Sequence, residues 1–273
     1  MKNHLKILLI LPVIILLAIQ LFPIFVMVLT SFKTPLGLLE DGTALSFKNL
    51  FLGNYLRVLV DDGFLANLYQ STLIAIVSTL LSLALGSLMA YGLAKLTFRN
   101  KNVLSLAVLC GRMIPPVALV VPVFIIVRFF HLNDTALGII IAHTSFNLPF
   151  AIWLILPFFS AIPDDFGEAA AIEGLHSWQI FRYIYVPIAS PGLLVAGIFC
   201  FLFSWNDFLF SLILAGSETQ TAPLAINAYM SSDRIEWGAM TASSIIVMVP
   251  IFTISLYLQK HLVSGLGADG IKA

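Results

Sequence analysis

Six stretches of this chain are each long and apolar enough to cross a bilayer, and that removes most folds from consideration. They run over roughly 7–32, 66–94, 103–127, 137–159, 188–215 and 241–259. A span needs about 20 mostly apolar residues, because the hydrocarbon offers no water to satisfy backbone N–H and C=O groups. Only a helix or a closed barrel meets that demand, and runs of this length are those of helices. The reading is an all-α polytopic membrane protein with six transmembrane helices. Composition agrees, since 60% of the residues are hydrophobic and 10% charged, where soluble domains carry about 25% charged residues. Lys2 and Lys6 resemble the charged start of a signal peptide. The apolar run behind them is too long for one and no small-residue cleavage site follows, so it is expected to stay as an anchor.

The formal net charge is zero, which gives no electrostatic reason to expect a nucleic-acid partner. Cys110 and Cys200 both lie in apolar runs and read as small buried hydrophobes rather than as a disulfide or metal pair. No CxxC, HExxH or GxxxxGK[ST] pattern occurs. The sequence therefore offers no metal site, no cofactor site and no nucleotide site, and no catalytic residues converge.

Lys and Arg in the connections set the expected orientation. With the N-terminus inside, the inner segments hold Lys2, Lys6, Lys95, Arg99, Lys101, Arg182, Lys260 and Lys272. The outer segments hold Lys33, Lys48, Arg57, Arg128 and Arg234. Eight against five is a mild bias, and the dense patch Lys95, Arg99 and Lys101 in one tight turn firms it. Both termini and the connection between the fourth and fifth spans are expected in the cytoplasm.

That connection is a polar island running from Glu168 through Gly174 to Pro187. Pro163-Asp164-Asp165 offers an N-cap, and Glu168 stands three residues after Asp165 in capping-box spacing. Gly174 can end the helix, Ser177 can cap a second one, and Pro187 stops that second helix or sets the entry to the next span. A short helix–turn–helix is expected. Outside, residues 33–65 carry Gly42 and an amphipathic piece around Tyr55–Val60. The stretch Gly216–Met240 reads either as a pore entry or as an interfacial loop with aromatic anchors. Pro115, Pro116, Pro122, Pro149 and Pro157 lie inside spans, where neighbours must satisfy the freed backbone groups.

The pattern E-A-A-x3-G-x9-I-x-x-P is filled by Glu168, Ala169, Ala170, Gly174, Ile184 and Pro187. It resembles the cytoplasmic loop of permease subunits of binding-protein-dependent ABC importers. More narrowly, the chain resembles the carbohydrate-uptake permeases of the maltose-transporter type, specifically the shorter partner of the permease pair. Four further blocks carry the likeness: Asn67-x3-Ser71, Ala90-Tyr91-Gly92-Leu93-Ala94, Arg112-Met113-Ile114-Pro115 and Ser204-Trp205-Asn206-Asp207. So does the glycine-rich tail Gly265–Lys272. Leu175 and Glu173 depart from the alanine and aspartate the family often has there.

The resemblance implies the type I importer permease fold, with a coupling helix between the fourth and fifth transmembrane helices. It implies residues 1–66 as an anchor helix with an extracytoplasmic segment, 67–260 as the permease core including the coupling loop 160–187, and 261–273 as a tail. It implies no catalysis in this chain, which would work in the bacterial inner membrane. The expected partners are a second permease subunit in a heterodimer, two ATP-binding subunits, an extracytoplasmic solute-binding protein and the lipid bilayer. Glu168, Ala169, Ala170, Gly174, Trp178, Phe181 and Pro187 would form the contact with the ATPase, with Glu168 either meeting a partner arginine or merely capping its own helix.

Polar groups inside spans are costly and point to function or to pairing. Arg112 is expected to pair with Asp207, to pair with helix carbonyls, or to snorkel. Asn206, Asn147 and Ser145 are the candidates for the translocation pathway. His143, Ser145 and Asn147 alternate, so they cannot share one helix face, and two are expected to face the pathway. Two rival readings remain. One is an ABC permease for a non-sugar solute; the other is a stand-alone secondary transporter or channel, which would carry ion-coupling carboxylates mid-membrane, where Asp207 alone is a candidate.

Overall fold

The computed structural model describes residues 2–40, 47, 50–230 and 235–267, with side chains over 10–38, 47, 50–230 and 235–256. Gly42, Lys48, Arg234, the tail beyond residue 267 and both chain ends lie outside the described residues, as do the side chains of Lys2, Lys6 and Lys260. The helices are α1 Lys2–Ser31, α2 Pro35–Glu40, α3 Gly53–Leu56, α4 Phe64–Lys95, α5 Lys101–Met113, α6 Pro116–Phe129 and α7 Ala136–Ser160. They continue with α8 Asp165–Ile172, α9 Ser177–Ile180, α10 Val186–Ile188, α11 Ser190–Trp205, α12 Leu209–Leu214, α13 Ala222–Ile226 and α14 Trp237–Gly267. Among the described residues there are no strands, only two isolated bridges, Lys33 with Leu50 and Met230 with Ile235.

Four of the expected spans are uninterrupted: Ile10–Ser31, Phe64–Lys95, Ala136–Ser160 and Trp237–Leu256. The other two are broken, which corrects the expectation of six simple helices. The run expected over 103–127 is α5 and α6, bent by 101°. The cause is Pro115-Pro116: a proline holds the residue before it extended, and Ile114 sits at φ −69°, ψ 121°. Pro116 then starts α6, where its missing N–H costs nothing. The run over 188–215 is α11 and α12, interrupted at residues 206–208, and Ser177–Ile188 leads into α11 at 78°.

The chain forms two compact units. The first holds residues 1–66 and 225–273. Here α1 lies along α14, and the apolar side chains of α1 from Ile10 to Phe22 are exposed, as a lipid-facing helix requires. Asn54 Nδ2 donates to the carbonyls of Ser31 (2.8 Å) and Lys33 (2.9 Å), closing the turn after α1. The expected amphipathic piece is α3 followed by a wider π-type turn over Arg57–Asp61, with Val58 buried and Leu56 and Val60 exposed. Arg57 ties this turn to Glu236 at 2.7 Å, and Tyr229 donates to Asp62 at 2.9 Å. Burial and the Asp62 carboxylate both push the Tyr229 phenol up from its ordinary pKa.

The second unit holds residues 67–224 and is built on small residues. On α4, Ser71, Ala75, Ser78, Ser82, Gly86 and Ala90 recur every three or four positions and are all buried. On α11, Gly192, Ala196, Cys200 and Ser204 do the same at a spacing of four. Lipid tails are as apolar as leucine, so helices in a membrane associate through close packing and interhelical hydrogen bonds, and small residues permit both. A methyl group at Gly86 would stand 3.1 Å from the Ala151 Cβ of α7, already tight. Cys200 is buried as expected, whereas Cys110 is exposed on α5, a helix with no buried residue.

Polar contacts mark the two ends of this unit. At one end Asp134 accepts from Gly216 N (2.7 Å) and Thr219 Oγ1 (2.6 Å). There too Asn67 donates to Gln220 O and Ala222 N donates to Ser71 Oγ. Thr135 caps α7 by accepting from Gly138 N. At the other end lie Lys95 and the segment 162–189.

Candidate functional site

The segment between α7 and α11 is the helix–turn–helix the sequence suggests, with different caps. α8 starts at Asp164, whose carbonyl accepts from Gly167 N and Glu168 N. The Asp164 carboxylate does not cap α8; it pairs with Lys95 at 2.7 Å. The Asp165–Glu168 capping box is therefore absent, and Glu168 is exposed. Gly174 ends the helix at φ +89°, a left-handed conformation a residue with a Cβ rarely adopts. Gly174 N donates to Ala171 O and Leu175 N to Ala170 O, the paired bonds of a Schellman ending. The second helix is entered through His176, whose N–H donates to Gln179 Oε1 at 3.0 Å, so Ser177 is its first residue and not its cap. Pro187 does not stop this helix, since it lies within α10.

A π-type turn over Phe181–Tyr185 directs two rings inward. Tyr91 of α4 lies 5.1 Å from both the Phe181 and Tyr185 rings and 6.0 Å from Phe159 of α7. Phe181 is 6% exposed and Ala170 5%. Both were expected on a contact surface; both instead root the loop in the helical core. What the loop presents is Glu168, Ala169, Ile172 (88% exposed), Pro187 and Trp178, with Trp178 half-open and its ring 5.3 Å from Phe181. Phe166 and Tyr183, which the sequence reading did not single out, are exposed as well. A cavity of about 480 Å³ opens beside α8, walled by Phe166, Ala169, Glu173 and Ile184.

A second locus lies at the two broken spans. A cavity of about 580 Å³ is lined by Arg112 at the end of α5, Phe146 and Phe150 of α7, and Asn206 and Asp207 at the α11–α12 break. Asp207 accepts from Phe210 N (3.1 Å), Ser211 N (3.1 Å) and His143 Nε2 (3.1 Å) through one oxygen, with Ser211 Oγ at 3.4 Å. An ionised carboxylate only accepts, so Nε2 carries the His143 proton. His143 Nδ1 then accepts from Ser204 Oγ (2.6 Å), which in turn accepts from Ser78 Oγ (3.0 Å). Serine, histidine and aspartate meet here, but Ser204 is buried and already engaged on both sides, so the set reads as a structural chain across α4, α7 and α11.

The pairing of Asp207 with Arg112 is thus corrected. The chain stops being helical at Asn206, which turns Asp207 onto the free N–H groups of α12; its charge is met there and by His143. Arg112 instead places its guanidinium 4.7 Å over the Phe150 ring. Asn206 faces the cavity with its Nδ2 bound to Leu202 O at 2.8 Å, leaving the carbonyl end of the amide to the cavity. Asn147 does not line it: it is fully buried and donates to Cys200 O at 3.1 Å. Ser145 is exposed, returns its hydroxyl to Ala142 O and does not line it either. His143 and Asn147, four apart, both face α11, the reverse of the expected division of that face. Among the described residues no three His, Cys, Asp or Glu side chains gather as a metal site.

Residues 82–267 match the protein family described as binding-protein-dependent transport system inner membrane component. The trehalose transport system permease protein SugB of Mycobacterium tuberculosis is 36% identical over 241 residues, covering 87% of this chain and 88% of the relative. The trehalose/maltose transport system permease protein MalG of Thermococcus litoralis is 31% identical over 276 residues, covering 98% and 97%. Among solved structures, a bacterial ABC transporter involved in the import of the acidic polysaccharide alginate has a chain that superposes with a TM-score of 0.82. It is 21% identical and covers 95% of this chain and 96% of that one, a likeness of fold.

Removing the Asp207 carboxylate leaves buried donors unmet, at about 1–3 kcal/mol each. Asp207→Ala should therefore lower the melting temperature of the detergent-purified protein sharply. Arg112→Ala gives up a cation–π contact of about 0.5–2 kcal/mol and should lower it less. Because the two share no partner, their effects should add within about 0.5 kcal/mol in the double variant. A larger interaction energy would restore the direct pair.

Proposed function

Because this chain belongs to the binding-protein-dependent transport system inner membrane component family, we propose that it is the permease subunit of an ATP-driven importer for a sugar, oligosaccharide or polyol. It is a non-catalytic, multi-pass inner-membrane subunit, and ATP is hydrolysed in separate partner subunits. Relatives whose names specify trehalose or trehalose and maltose transport, aligned over most of both chains, support the carbohydrate class. It works beside a second permease subunit, above two ATP-binding subunits, and receives its solute from an extracytoplasmic binding protein.

The observation that carries the mechanism is the division of the loop into a buried foot and an exposed knuckle. Phe181, Tyr185 and Ala170 are held in the core, while Glu168, Ala169, Ile172 and Trp178 face outward. A rigid projection of this kind can be pushed by a partner without absorbing the movement. The exposed residues form the ATPase contact, with the Glu168 carboxylate in the first turn of α8, where the helix dipole favours it. Asn206 offers an amide to sugar hydroxyls beside the aromatic walls of the larger cavity. The stand-alone secondary transporter is disfavoured by Asp207, whose carboxylate is engaged as a helix cap and is not poised to bind a coupling ion. The loop and both termini face the cytoplasm in this reading.

Gly174→Pro cannot keep φ +89° and should break the knuckle. The complex should still assemble, since Gly174 meets no neighbour, while ATP-driven uptake falls by at least about tenfold, the equivalent of roughly 1.4 kcal/mol. Normal uptake by this variant would remove the loop from the mechanism. Orientation is read separately, with Cys110→Ser and Cys200→Ala as background. Cysteine placed at Ile172 should resist a membrane-impermeant thiol reagent in intact cells, and cysteine placed at Glu218 should react; the opposite pattern reverses the topology.

A further inference from the structure

Lys95 ends α4, yet both hydrogen bonds of its ammonium go to the segment that leads into α8. It donates to Ile162 O and to Asp164 Oδ1, partners 67 and 69 residues away in sequence, and lies 5.5 Å from the centre of the Tyr185 ring. Its side chain is 7% exposed, against 73% for that of Asp164. A cation so covered is stable only where hydrogen bonds and opposite charge replace its water, and charge-assisted bonds are directional as well as strong. Tyr185 is the buried ring of the loop's second half, so one ammonium touches both limbs of the knuckle. The covalent routes from the loop into the membrane run back through Ala161 to α7 and on through Ala189 to α11. Through Lys95, as through the Tyr91 ring, α4 has a hold on the loop that depends on neither route. Farther along α4, Ser78 donates to Ser204, next to the break where Asp207 and the larger cavity lie. One uninterrupted helix therefore touches the loop at its end and, at its middle, the α11 residue two positions before the cavity-lining Asn206.

We infer that Lys95 is a positioning residue that locks the loop to α4, making α4 a further strut, beside α7 and α11, through which loop movement reaches the cavity. The inference rests on the loop being the ATPase contact. Energetic coupling between distant sites travels through such contiguous contacts between rigid elements. Loss of the lock leaves the Tyr91 ring contacts between the loop and α4, so the loop moves with less of α4 and more ATP is spent per solute moved.

The test is made on the whole complex, with both permease subunits, the ATPases and the binding protein, reconstituted in liposomes. Solute imported per ATP hydrolysed is measured for Lys95→Met, Asp164→Asn and Gly174→Pro. Lys95→Met should assemble and hydrolyse ATP while the ratio falls about tenfold, the scale of one lost charge-assisted bond. Asp164→Asn keeps the carbonyl contact and should fall less. If Lys95→Met keeps the normal ratio while Gly174→Pro loses it, the strut is wrong and the loop reading stands. If both keep it, the loop reading fails and takes the strut with it. Should Lys95→Met not assemble, Asp164→Asn decides, because Asp164 itself is exposed: a lowered ratio supports the strut and a normal one overturns it.

Discussion

Inside a bilayer, a backbone N–H released from a helix finds no water, and every break in a spanning helix must be met from within the protein. The break between α11 and α12 is met by one carboxylate. Asp207 accepts the amides of Phe210 and Ser211, and His143 closes the remaining side. The rest of the membrane core follows from that arrangement. His143 must donate through Nε2, so Ser204 must face Nδ1, and Ser78 must come close enough to bond Ser204. Such an approach is possible only where α4 and α11 carry small residues, which is what their buried stripes show. The broken span, the close packing and the polar chain are one solution to one problem.

The loop solves a different problem, that of staying stiff outside the packed core. Its two short helices are each under three turns, too short to hold shape alone. Rigidity comes from the ring cluster of Tyr91, Phe159, Phe181 and Tyr185, from the glycine-ended turn and from Lys95. A partner pressing on Ile172 and Trp178 therefore presses on α4 and α7 too.

Much of the fold was legible because hydropathy over twenty residues is a strong signal, and all six apolar runs correspond to helical segments. The breaks were not. Pro115 and Pro116 were visible, but proline in a membrane helix can kink it slightly or end it, and only the neighbours decide. Asp207 was recognised as needing a partner, and Arg112 was the obvious charge. Nothing local to Ser204–Asp207 says that the helix stops at Asn206 and exposes backbone donors instead. Asn147 and Ser145 were read as polar groups in a span, though spacing already placed Asn147 on the face of His143. Phe181 and Trp178 looked alike in sequence, and a π-type turn sends one in and leaves the other half out. The glycine ending was legible at Gly174, but the capping box was not there to find, since the Asp164 carboxylate at the N-cap has a better use with Lys95, and the second helix is entered one residue early, at His176.

The central claim is that this chain moves solute only when ATP is hydrolysed by attached partners. Its most direct test is uptake, into liposomes holding the purified complex, of the radiolabelled carbohydrate that its binding protein carries, with the loaded binding protein outside and ATP inside. Uptake should require ATP, the ATPase subunits and the binding protein together, and should be indifferent to imposed proton or sodium gradients. Gradient-driven uptake by liposomes holding this chain without ATPase subunits would contradict it.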